Sequence, residues 1–160
     1  MKTNAPIRQD LLSLAGEHRV ASELCKRGVF ATITPGNRKQ TDLYAINDTT
    51  KRFLRIEVKA GQTKKFLTGI SQRKGDPPDF WVLVLFGDGS ERFFVLRNDE
   101  IEKLQQEAIE PYLERFRKRN PGKEYDLRKG VDNLPLACVE NANCENRWDK
   151  IAAAVGGAEA

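Results

Sequence analysis

The stretch "TDLYAINDTTKRFLRIEVKAG", residues 41–61, decides how this chain folds. Two alternating segments flank a short polar connection, DTTK, the pattern of an antiparallel strand pair. Side chains alternate along a strand, so Leu54, Ile56, Val58 and Ala60 share one face while Glu57 and Lys59 share the other. On the preceding strand Leu43 and Ala45 share a face, and Asp42, Tyr44 and Ile46 share its opposite. A four-residue connection sets Leu43 against Ile56 and Ala45 against Leu54 on the apolar side. The other side then opposes Ile46 to Phe53, Tyr44 to Arg55 and Asp42 to Glu57.

Like charges directly across a ladder destabilise it, so the register that satisfies the core leaves an electrostatic fault at Asp42 and Glu57. A divalent cation would remove that fault. Two carboxylates, a backbone carbonyl, waters and a phosphate oxygen make an octahedral shell for Mg2+ or Mn2+. Lys59, next along the same face, would then either act on an attacking water or stabilise charge at the phosphate. The competing reading is a pair of neighbouring surface charges with no chemistry attached.

Working outward, residues 8–27 have helical spacing in Leu11, Leu14, Ala21 and Leu24, with Gly28 as a C-cap. Glu17 falls in the middle of that apolar stripe, where an unpaired carboxylate needs a metal, a metal-bound water or a basic partner. VFATIT reads as a strand and PGNRKQ as a turn. A basic stretch after Gly61 reads as a short helix weakened by Gly69. DFWVLVLF is a central strand covered on both faces, with ERFFVLR as its hairpin partner. Residues 99–119 form a charged helix that Pro111 should break or restart. LPLACVE is a short apolar contact, and NRWDKIAAAV a last helix.

The chain has 160 residues, 39% of them hydrophobic, which suits a single domain, 1–160, with a less regular C-terminal extension, 120–160. MKTNAPIRQD lacks an apolar segment and FWVLVLF is too short to span a bilayer, so a cytoplasmic location is expected. Three cysteines without CxxC spacing argue against a zinc knuckle, and one histidine leaves little room for His-based nucleophilic catalysis. Between Arg38 and Lys74 stand ten basic side chains against three acidic ones, an excess that favours a polyanionic partner. Trp148, read as exposed, and the helix around Tyr112 and Phe116 offer a homodimer surface.

The ordered set Glu17, Asp42, then Glu57-Val58-Lys59 resembles the PD-(D/E)XK nuclease superfamily, which includes type II restriction enzymes and Holliday junction resolvases. The resemblance covers residues 15–62, and Thr41 stands where the family motif has proline. It implies a restriction endonuclease-like mixed α/β (α+β) fold, with a central sheet of about five strands flanked by helices. It also implies Asp42, Glu57 and Glu17 as metal ligands, with Lys59 as the catalytic lysine. The expected activity is a Mg2+-dependent deoxyribonuclease, endonuclease over exonuclease, with DNA held by Arg38, Lys39, Lys64, Lys65, Arg73 and Lys74. The alternative is a catalytically silent module binding nucleic acid or protein on the same fold.

Overall fold

A computed structural model describes residues 5–35, 41–126 and 132–156. The chain runs α1 (Gln9–Lys26), β1 (Phe30–Ile33), β2 (Leu43–Asn47), β3 (Arg52–Gly61), β4 (Lys65–Leu67), β5 (Phe80–Phe86) and β6 (Glu91–Arg97). It continues through α2 (Asn98–Arg119), β7 (Asn133–Pro135), α3 (Leu136–Glu140) and α4 (Asp149–Gly156). Five strands form one sheet in the order β1-β2-β3-β5-β6, and β4 pairs with β7 in a separate ribbon. Among the described strands of this sheet β3 and β5 run parallel and the other neighbours antiparallel. This is the expected mixed α/β architecture, a five-stranded sheet flanked by helices. Among the described residues no helix is long and apolar enough to cross a membrane.

The register is that of a four-residue connection, with Leu43 against Ile56, Tyr44 against Arg55, Ala45 against Leu54 and Ile46 against Phe53. Asn47 Oδ1 accepts from the N–H groups of Thr49 and Thr50 and shapes the turn. The ladder stops at Leu43 and Ile56, so β3 outruns β2. From Ile56 to Gly61 β3 is paired on its other side, to β5.

The sheet has a core on each face. Val20, Leu24, Ile56, Val58, Val82, Val84, Trp148 and Ile151 fill one, with α1 and α4 above them. Phe66, Trp81, Leu83, Phe94, Ile101 and Leu134 fill the other, under α2, α3 and the β4-β7 ribbon. Residues 80–84 are buried throughout, as a strand covered on both faces must be.

Several expectations need correction. Leu11 and Leu14 are 50% and 48% exposed, and the buried line of α1 runs through Leu12, Gly16, Val20, Glu23 and Leu24. Gly16 is the reason. A methyl there would stand 2.8 Å from Ala60 Cβ, so its hydrogen lets the helix sit close on β3 and fixes which face points inward. The expected helix after Gly61 is instead β4 and a 3-10 turn at Ile70–Gln72. Trp148 is only 3% exposed, tilted against Phe93 at 5.4 Å, so it belongs to the core. Helix α2 continues through Pro111.

The tight approach gives a test. Gly16→Ala gains about 1 kcal/mol of helix propensity but overpacks the α1-β3 contact by ~1–3 kcal/mol. Thermal unfolding is expected to show a net loss, and adding Ala60→Gly in a double-mutant cycle is expected to show a favourable coupling. Additive effects would mean that the helix does not rest on Ala60.

Candidate active site

The end of the β2-β3 ladder is where the candidate residues meet. In a strand the N–H groups of alternate residues point to the same side, so Val58 turns its donor toward the place where β2 has already ended. Asp42 supplies the missing acceptor, its Oδ2 taking the Val58 N–H at 2.7 Å. Asp42 also donates its own N–H to the Ile56 carbonyl at 3.1 Å, and its carbonyl accepts from Thr34 N–H at 2.9 Å. Its carboxylate thus lies over the edge of β3, a correction to the expected placement squarely across from Glu57.

The predicted electrostatic conflict is nevertheless present. Burial first, and the charge of Glu57 second, push the Asp42 carboxyl above the usual aspartate value. Glu57 is buried, and its Oε1 accepts from Lys59 Nζ at 2.6 Å. Its Oε2 has no hydrogen-bond partner among the described residues and faces Arg73 Nη2 at 3.6 Å.

Glu17 arrives from the other side of the sheet. Because Gly16 packs on Val58 and Ala60, α1 covers the face opposite Glu57 and Lys59, and Glu17, on the flank of the buried line, lines a cleft with Asp42 and Lys59 around the end of β3. Burial first and Asp42 second raise the Glu17 carboxyl above the usual glutamate value. The cleft has a volume of about 690 Å³, with Lys65, Phe66 and Asn133 among its lining.

The second wall of the cleft was missed in the sequence, since Asn133 reaches it only through the pairing of β4 with β7. Among the basic residues, Lys65 lines the cleft while Lys64 and Lys74 are exposed nearby in the chain. Arg73 is mostly buried, its guanidinium 4.8 Å above the Trp81 ring. Arg38 and Lys39 lie outside the described residues.

Among the described residues no three carboxylate, imidazole or thiol groups converge into a ready metal cage. The donor chemistry still fits magnesium or manganese, which keep several waters and need only one or two carboxylates from the protein. Glu57 Oε2 is buried without a hydrogen-bond donor among the described residues, and Asp42 carries a charge its surroundings disfavour. Taking Glu17, Asp42 and Glu57 as ionised beside Lys59 and Arg73 leaves a net negative charge.

No protein-family model and no curated protein matches the chain. Among solved structures it is similar to a bacterial homing endonuclease, I-Ssp6803I, at 20% identity and a TM-score of 0.46, over 57% of this chain and 67% of that one. Nothing about substrate passes from that protein to this one at such a distance.

Proposed function

We propose that the chain is a magnesium- or manganese-dependent nuclease that hydrolyses phosphodiester bonds in DNA, as an endonuclease, in the cleft at the end of β3. The supporting observation is the meeting of two crowded carboxylates, Asp42 and Glu57, with the Lys59 ammonium at one strand end. A cation held by Asp42 and Glu57, with Glu17 completing or bridging its shell, would neutralise phosphate charge and acidify a bound water. Lys59, released from Glu57, donates a hydrogen bond to the attacking water or to a phosphate oxygen. Glu17, whose raised carboxyl holds a proton more readily than an ordinary glutamate, faces the same cleft. Lys64, Lys65 and Lys74, with Arg38 and Lys39, hold flanking phosphates without reading sequence.

The test is incubation of the chain with duplex, branched and single-stranded DNA, with Mg2+, Mn2+ or chelator. Cation-dependent cleavage is expected, and Lys59→Met is expected to lower it by about 100-fold while circular dichroism stays unchanged. Wild-type protein inert on all three substrates with either cation would remove the proposal.

One observation favours a second reading. Glu57 already faces two cations, Lys59 and Arg73, as a structural ion-pair network in a silent binding module would have it. That module predicts salt-sensitive DNA binding indifferent to Asp42→Asn and Lys59→Met, and no manganese binding by calorimetry.

A further inference from the structure

Arg73 differs from the other basic residues around the cleft. Its side chain is 13% exposed, against 30% for Lys59. Its guanidinium Cζ lies over the Trp81 ring, 4.8 Å from the centroid, and Trp81 is fully buried and pinned through its own N–H to Asn98 Oδ1 at 3.0 Å. A cation is attracted to the face of such a ring more strongly when both are out of water, so the arginine is held on a fixed platform. Its Nε and Nη1 are buried and find no acceptor among the described residues. Its Nη2 stands 3.6 Å from Glu57 Oε2, within ion-pair range and beyond a hydrogen bond.

The two cations on Glu57 are therefore unequal. Lys59 lines the cleft and bonds one carboxylate oxygen; Glu57 and Arg73 are not among the lining residues, and Arg73 stands near the other carboxylate oxygen with two of its nitrogens enclosed. If Lys59 leaves Glu57 to work on substrate, a buried carboxylate loses its hydrogen-bonded partner, which is strongly unfavourable unless another charge remains. Arg73 is the group placed to remain.

We infer that Arg73 is a positioning residue that compensates and orients Glu57, so that Lys59 is free to move from the carboxylate to the substrate. On this view the 3.6 Å separation shortens to a hydrogen bond when Lys59 departs. The inference rests on the proposed nuclease function and replaces a phosphate contact for Arg73 with a role inside the site.

The experiment compares wild type with Arg73→Met and Arg73→Lys in three measurements: manganese binding to DNA-free protein by calorimetry, DNA binding in chelator across a salt series, and steady-state cleavage. Arg73→Met is expected to weaken manganese binding about 10-fold and lower kcat by about 10- to 100-fold, as loss of a group supporting a ligand does. DNA affinity in chelator should change by less than about twofold with an unchanged salt slope, because no phosphate contact is lost. Arg73→Lys, which keeps the charge, should recover most of the manganese affinity. Tighter manganese binding by Arg73→Met would overturn the inference, since Arg73 would then merely oppose the cation. Weaker DNA binding with a salt slope reduced by about 0.9 would also overturn it and restore the phosphate contact. If Arg73→Met does not fold, Arg73→Lys and Arg73→Gln carry the same comparison. Wild type that neither binds manganese nor cleaves DNA removes the nuclease reading and this role together; active wild type with an indistinguishable Arg73→Met removes this role alone.

Discussion

Asp42→Asn is expected to abolish cleavage and, in the same protein, to raise the unfolding temperature. The two effects share a cause. Asp42 carries its charge where burial and the neighbouring Glu57 disfavour it, a cost to the fold that, under the proposed function, a bound cation would turn into affinity. Asparagine keeps an oxygen for the Val58 N–H, which Asp42 now accepts at 2.7 Å, and drops the charge. Loss of one of the two carboxylates proposed to hold the cation should reduce cleavage about 1000-fold or more, equivalent to ~4 kcal/mol of transition-state stabilisation. Removal of the disfavoured charge should add about 1 kcal/mol of stability at neutral pH, or ~2–4 °C in Tm for a chain of this size.

The pH dependence carries a defined sign. The Asp42 carboxyl titrates higher in the folded protein than in the unfolded chain. Between those two values the folded state binds more protons, so lowering the pH through this window adds stability and raising it removes stability. Asparagine does not titrate, so the advantage of Asp42→Asn should grow as pH rises through the raised Asp42 value and fade below the ordinary aspartate range. Unfolding by denaturant at several pH values measures it, and an Asp42→Asn protein less stable than wild type at neutral pH would show that the carboxylate is satisfied where it stands.

The β2-β3 register could be read from alternation and connection length because both are local properties of 21 residues, 41–61. Burial of β5 was legible for the same reason, as an unbroken apolar run between Pro78 and Gly87. The orientation of α1 was not, since a residue without a side chain sets it: Gly16 contributes nothing to an apolar stripe, yet its contact with Ala60 decides which side faces the sheet. That misplaced Glu17 by part of a helical turn, although it still reaches the cleft. The β4-β7 ribbon was illegible because three-residue strands show no period and their pairing is distant in sequence. Helix α2 passes Pro111 because the carbonyl left without a donor belongs to Glu107, which is exposed to water. Arg73 could be placed in a basic stretch but not against Trp81, a contact that only the packing of the two segments creates.

Glu57→Gln should act on stability in the opposite direction from Asp42→Asn, although both remove a carboxylate from the same site. Lys59 Nζ bonds Glu57 at 2.6 Å and Arg73 faces its other oxygen, so neutralising Glu57 leaves two cations without their shared anion. Lys59 can turn to water in the cleft, whereas Arg73 is enclosed, with Nε and Nη1 already lacking acceptors among the described residues. Breaking a buried pair from one side costs about 3–5 kcal/mol, and partial hydration of Lys59 places the expectation at the lower end, about 3 kcal/mol. For a chain of this length that is a fall of roughly 6–12 °C in Tm. Adding Arg73→Met to Glu57→Gln should return part of the loss, because the stranded guanidinium goes with it; a double-mutant cycle in denaturant gives the coupling directly. A Glu57→Gln protein as stable as wild type would mean that the cations, and not the carboxylate, are the groups the site already satisfies, and would place the electrostatic conflict on Glu57 as much as on Asp42.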